Sequence, residues 1–234
     1  MLTAPQFSPA ALQTVRDRID RAARQVGREP TEICLLAVGK QQPASMLRAA
    51  YDAGQRDFGE NFAQEGAAKA DELADLADLR WHFIGHLQAN KTREVAERFA
   101  WVHTVDRERI ASRLSAQRPH HAPPLQVLLQ VRLADEPAKG GIAPDAVASL
   151  ATVVATLPRL RLRGLMCIPP PAPTLEAQRA PFRELRVLLE RLNANGHQLD
   201  TLSMGMSDDL EAAVMEGATI VRVGTAIFGA RPRD

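Results

Sequence analysis

Short apolar runs of strand character alternate with helix-patterned stretches eight times along this chain, and that alternation limits the fold more than any other feature. A strand, a crossover helix and a further strand lie parallel in one sheet, buried on both faces. Eight such units close into a barrel. An open doubly wound sheet uses fewer strands, and the Gly-x-Gly-x-x-Gly turn that would follow its first strand is missing. The expected fold class is therefore α/β, a single (β/α)8 TIM barrel spanning residues 1–234, with an extra N-terminal helix within residues 1–28 and no second domain.

In the opening helix, Ser8 is placed as N-cap and Pro9 at the first helical position, with the end near Gly27. Strands are expected at 33–40, 56–59, 81–85, 101–105, 125–131, 160–166, 202–204 and 219–223. Helices are expected at 43–53, at 63–76 and up to about Phe99, then after a cap at Asp106, from near Pro144, and at 175–195. A last one runs from a cap at Ser207 to Gly217, because Ser207-Asp208-Asp209-Leu210-Glu211 puts acids in its first turn. The Pro-rich stretches 119–124 and 169–173 read as loops within the barrel.

A net charge of +1, with arginines dispersed among acids, argues against a nucleic-acid surface. No apolar run approaches the roughly 20 residues that span a bilayer, and no signal peptide is visible, so the expectation is a cytoplasmic protein with no membrane partner. Cys34 and Cys167 sit within or just after apolar runs and read as reduced core thiols. His82 reads as a core histidine, with a place near the site at the end of strand three as the other reading, and His103, mid-strand, reads as structural. The adjacent His120 and His121, without acids or cysteines nearby, make no metal site, and no metal is expected.

The run Ile33-Cys34-Leu35-Leu36-Ala37-Val38-Gly39 ends in Lys40, one of only four lysines, with Lys69, Lys91 and Lys139. The C-terminal ends of barrel strands carry the chemistry, so Lys40 is placed like a Schiff-base nucleophile; a lysine snorkelling out of a strand end is the other reading. Barrels often hold phosphate on the loops after strands seven and eight. Here those loops are Ser203-Met204-Gly205-Met206-Ser207 and Gly224-Thr225, where Ser207 serves as N-cap, phosphate ligand or both. Arg222 shares a strand face with Ile220 and Gly224, and is costly there unless it makes an ion pair or meets a ligand in the barrel mouth. A lysine for an aldehyde, a cradle for a phosphate and an arginine for a ring nitrogen together describe a pyridoxal 5′-phosphate (PLP) site.

Several ordered stretches carry a resemblance: Leu35 to Lys40, Phe58-Gly59-Glu60-Asn61, Trp81 to Gly85, Leu87 to Lys91, His103 to Asp106, Arg163 to Met166, Leu202 to Asp209 and Val221 to Gly229. Over essentially its whole length the sequence resembles the pyridoxal phosphate homeostasis protein family. The resemblance implies a barrel like the N-terminal domain of alanine racemases, the fold-type III architecture of PLP proteins. It implies Lys40 as the Schiff-base lysine, Arg222 beside the pyridine nitrogen, Ser207, Gly224 and Thr225 at the phosphate, and Asn61 and Met204 lining the cofactor. Three positions depart from the family pattern: Gly39 in place of a serine, Phe62 in place of a tyrosine and His86 in place of a proline.

The implied role is intracellular PLP homeostasis by a monomer that holds the cofactor reversibly, affects amino-acid and keto-acid balance, and has PLP-dependent apo-enzymes as partners. No catalytic residue is expected. An arginine keeps its proton, so a ring nitrogen beside it stays unprotonated and is a weak electron sink. The single tyrosine, Tyr51, falls inside a helix, and the sequence closes at Asp234 soon after strand eight. The rival is a small PLP-dependent amino-acid racemase using the same lysine.

Overall fold

Eight parallel strands close into a barrel in chain order. They are β1 (Cys34–Val38), β2 (Asp57–Glu60), β3 (Arg80–Phe83), β4 (Trp101–Val105), β5 (Leu125–Gln130), β6 (Leu160–Met166), β7 (Thr201–Ser203) and β8 (Ile220–Val223). The computed structural model describes residues 7–134 and 140–229, so Lys139 lies outside the described residues. Outside the strands lie α2 (Ala44–Asp52), α3 (Ala63–Glu72), α4 (Thr92–Arg98), α5 (Glu108–Gln117), α6 (Val147–Thr156), α7 (Leu175–Ala194) and α8 (Leu210–Met215). The extra helix α1 (Pro9–Gln25) precedes the barrel, and a short α9 (Thr225–Phe228) follows β8.

Strand alternation sorts the core into two layers. Leu35 and Ala37 of β1, Val127 and Leu129 of β5 and Leu165 of β6 join the apolar layer shared with the helices. Their neighbours Leu36, Leu128 and Met166 are fully buried outside that layer, so they fill the barrel interior. Leu12, Val15 and Ile19 bury the inner face of α1, which lies against α8 and α9. Each of these side chains contributes about 1.5–3 kcal/mol on burial, so an amphipathic sequence suffices to dock the helix. That contact matters for the site, because the loops before α8 and α9 are the two expected at a phosphate.

The strands lie within or beside the expected segments, and β4 and β6 match them. The first strand is shorter than expected: β1 stops at Val38, which leaves Lys40 in the turn beyond it. Two caps also differ. Arg107, not Asp106, occupies the N-cap of α5, and the Asp106 carboxylate accepts from Arg107 Nη1 at 2.5 Å. Asp209, not Ser207, occupies the N-cap of α8. The Asp209 carboxylate accepts from the Met206 amide at 2.6 Å, folding residues 207–209 into a turn ahead of the helix. Each acid is held by a nearer donor than the helix amides, which sequence spacing alone does not show. Ser8 does stand at the N-cap of α1, although its hydroxyl makes no capping bond.

Candidate functional site

A cavity of about 520 Å3 opens at the C-terminal end of the barrel. Six of the expected residues line it: Lys40 after β1, Asn61 after β2, Ser207 before α8, Arg222 on β8, and Gly224 and Thr225 at the start of α9. Met204 does not. Ser203 points into the barrel, where it contacts Arg222 and His103, so Met204 turns outward into the apolar layer with no exposed surface. Gly205, at φ +91°, then reverses the chain, and Met206 lines the cavity instead.

The turn that carries Lys40 is tightly held. The Gly39 amide donates to Gly59 O at 3.0 Å, extending the ladder past β1, so Gly39 does not loosen this strand end. Lys69 Nζ, on α3, donates to Gly39 O at 2.7 Å, to Glu60 Oε1 at 2.8 Å and to Glu65 Oε1 at 2.7 Å. Glu65 Oε1 in turn accepts the Gln41 amide at 2.5 Å. Burial pushes the Glu60 carboxyl up to about 7, against the opposing charges of Lys69 and Lys40. The Glu65–Lys69 spacing of four residues was the one sequence signal for this cluster, and a solvated helix pair shows the same pattern.

Asn61 reaches the cavity because the chain at Gly85 passes against it. A Cβ at Gly85 would sit 1.8 Å from Asn61 O, so only glycine allows this approach. Asn61 Oδ1 and Gln42 Oε1 are buried, border the cavity and have no hydrogen-bond partner among the described residues. Phe62, 58% exposed, occupies the N-cap of α3, and His86 is exposed.

Arg222 is buried and makes its bonds to neutral acceptors. Nη1 donates to Ser203 Oγ at 2.8 Å and Nη2 to Cys167 O at 2.9 Å. Burial lowers its pKa from the usual arginine value. From Ser203 a buried polar chain crosses the barrel: Ser203 Oγ to His103 Nδ1 at 2.8 Å, His103 Nε2 to His82 Nδ1 at 3.0 Å, and His82 Nε2 to Asp57 Oδ1 at 3.0 Å. Arg80 closes it with bonds of 2.7 and 2.6 Å to the two Asp57 oxygens. One proton order satisfies every partner: each ring donates toward Asp57 and accepts from the Ser203 side. Burial keeps both imidazoles neutral. Burial alone would raise Asp57, but bonds from His82 and Arg80 outweigh it and hold the carboxyl below the usual range.

At the other rim, Arg18 of α1 donates to Ser207 O at 2.9 Å and forms a fork on Glu211 with bonds of 2.7 and 2.8 Å. The first amides of α9 have no carbonyl partner within their own helix, and Gly224 and Thr225 present that end to the cavity. Both cysteines are raised by burial, Cys167 to about 12, so neither is a nucleophile. Tyr51 lies at the C-terminal end of α2, toward the opposite end of the barrel, with its hydroxyl on Asp78 and its ring under Arg56. The donor set fits a phosphorylated pyridine aldehyde: a lysine, helix-end amides with hydroxyls for an anion, a buried arginine, and two unmatched amide oxygens.

Fold and cavity together define a protein of the alanine-racemase barrel class, and the family model for the alanine racemase N-terminal domain matches residues 11–232. Within that class, the chain belongs to the pyridoxal phosphate homeostasis protein family. It is 58% identical over 217 residues to the pyridoxal phosphate homeostasis protein of Pseudomonas aeruginosa, covering 93% of each chain. It is 54% identical over 222 residues to that of Escherichia coli K12, covering 94% of this chain and 95% of the relative. PipY of Synechococcus elongatus, solved with PLP bound, superposes with a TM-score of 0.80 at 40% identity, covering 91% of this chain and 100% of PipY. Alanine racemase from Corynebacterium glutamicum is 16% identical with a TM-score of 0.68, covering 98% of this chain and 64% of the racemase, and shares the fold alone.

Proposed function

We propose that this chain is a PLP carrier of intracellular vitamin B6 homeostasis, holding the cofactor reversibly on Lys40 and releasing it to PLP-dependent apo-enzymes. The observation that carries this reading is that Lys40 and the buried Arg222 border one cavity, which Ser207, Gly224 and Thr225 also line. The bound relative PipY supports it at 40% identity. When bound, PLP supplies an aldehyde that forms a reversible C=N bond with an amine. Lys40 would provide that amine, the α9 amides with Ser207 and Thr225 would hold the phosphate, and Asn61 would line the ring's side of the cavity. Arg222 would serve as a donor to the pyridine nitrogen, which would leave that nitrogen unprotonated and the ring a poor electron sink.

The reading is non-catalytic, because racemisation at useful rates needs a second base opposite the lysine. Tyr51, on the outer helix α2, is committed to Asp78. We further propose that residues 1–234 act as one PLP-binding domain, as a monomer in the cytoplasm. Among the described residues no helix is long and apolar enough to cross a membrane, and both thiols are unpaired.

The test is to mix purified protein with PLP, reduce with borohydride and map the modified peptide by mass. A cofactor-sized adduct confined to Lys40 is expected. Labelling spread over Lys69, Lys91 and Lys139, or none at all, overturns the proposal. Loss of α-deuterium from alanine at ordinary enzyme rates would overturn the non-catalytic part alone.

A further inference from the structure

We propose that Lys69 is the positioning residue for Lys40: clamped between Glu60 and Glu65, it fixes the turn from which the Lys40 amine meets an aldehyde. This inference rests on the carrier reading above and adds to it the group that sets the lysine's geometry.

The clamp acts on both sides of Lys40. Lys69 Nζ holds the carbonyl of residue 39, and Glu65 Oε1, bound to the same ammonium, holds the amide of residue 41. Gln41 has φ +60°, a left-handed conformation that a non-glycine residue keeps only when its surroundings impose it. Glu60 anchors the clamp from the barrel side and has no exposed surface, while Lys69 is 6% exposed. A lysine buried this far is retained only where its three donors are satisfied, and here all three point at the Lys40 turn or at the acids that hold it.

Gly39 is part of the device. A Cβ at this position would lie 2.9 Å from Glu60 Oε1 and 3.0 Å from Leu47 Cδ1, so the glycine makes room for the carboxylate against the turn. Lys40 is also within the electrostatic reach of Glu60, so the cluster bears on the charge of the amine as well as its place.

Capture joins Lys40 Nζ to the aldehyde carbon as a C=N bond and releases the aldehyde oxygen as water, carrying the two amine protons. It depends on the approach of one neutral amine, and a displacement of about 1 Å costs up to roughly 100-fold in rate. Binding of the phosphate and ring does not depend on that approach. The two are separable with pyridoxine 5′-phosphate, which carries an alcohol where PLP carries its aldehyde.

In Lys69→Met we expect capture at Lys40, followed by absorbance and by the borohydride adduct, to slow about 10- to 100-fold, with pyridoxine 5′-phosphate affinity within about twofold of the parent. Glu65→Ala, at the partly exposed end of the clamp, leaves the Glu60–Lys69 pair in place and is expected to fold and to slow capture severalfold. Should Lys69→Met fail to fold, the double variant Glu60→Gln/Lys69→Met removes both buried charges and is expected to show the same slow capture. Capture at the parent rate in Glu65→Ala and in whichever Lys69 variant folds overturns the inference and leaves the carrier reading intact. Equal losses of capture and of pyridoxine 5′-phosphate binding overturn it too, because the cluster would then only support the cavity wall. A parent protein that forms no Lys40 adduct overturns the carrier reading, and this inference with it.

Discussion

The Arg222 guanidinium and the His103 imidazole share one hydroxyl: Ser203 Oγ stands 2.8 Å from Arg222 Nη1 and 2.8 Å from His103 Nδ1. The cavity arginine is thereby tied into a hydrogen-bonded chain that ends on Asp57 near the opposite end of the barrel. Ser203→Ala removes the shared atom and leaves a buried guanidinium N–H and a buried ring nitrogen without partners. A loss of about 1–3 kcal/mol is expected, measured by urea unfolding of the apoprotein.

Arg222→Glu replaces a buried donor with an acceptor. The carbonyl of Cys167 and the Ser203 hydroxyl both lose a charge-assisted bond, at about 1.5–3 kcal/mol each before relaxation. The variant is expected to melt well below the parent, and a melting curve equal to the parent's would contradict the buried placement of Arg222.

Stability depends on pH through His82, His103 and Glu60. Both histidines stay neutral in the fold below their ordinary value of 6.5, so below that pH the unfolded chain binds protons that the folded chain refuses. Their contribution is therefore lost as pH falls from 6.5. Glu60 acts in the other sense: folded it titrates at about 7 rather than 4.5, so its contribution grows as pH falls between those values. Between pH 6.5 and 4.5 the histidines and Glu60 therefore act in opposite senses, and Glu60 offsets part of the loss that the histidines cause. Glu60→Gln removes the opposing group and is expected to steepen the fall, as read from urea midpoints at pH 7 and pH 5.5.

Lys40→Ala is expected to abolish the borohydride adduct while leaving the fold intact. The residue lies in a turn past the end of β1 and supports no part of the apolar layer. Unfolding free energy within about 0.5 kcal/mol of the parent is the expected result. A larger loss would make Lys40 a structural residue.

Gly39→Ser places a Cβ against Glu60 Oε1 and Leu47, both buried. The backbone there has no glycine-only conformation, so the cost is packing alone, about 1–3 kcal/mol. Leu47→Val in the same chain is expected to recover part of it, measured by thermal unfolding of the two variants side by side.

The alternation of buried strands with amphipathic helices determined the barrel, because period-2 and period-3.6 patterns are written locally and eight parallel units have few ways to close. The same local reading reached Lys40, Ser207, Arg222, Gly224 and Thr225, since strand ends seven, eight and one become neighbours once the barrel closes. Met204 came from the resemblance and not from this local reading; the direction of β7 turns its side chain into the apolar layer. The local reading failed at the caps of α5 and α8: Arg107 takes the Asp106 carboxylate, and a turn over residues 207–209 moves the start of α8 past Ser207. Glu60 and Lys69 stand nine residues apart on different elements, and Ser203, His103, His82 and Asp57 come from four strands. The sequence alone therefore determined which elements form and which strand ends carry chemistry. Only the tertiary structure decided that a buried ammonium grips the Lys40 turn and that Arg222 hangs on a chain of two neutral histidines, because hydrogen bonds between distant strands and helices depend on barrel closure and leave no periodic trace in the chain.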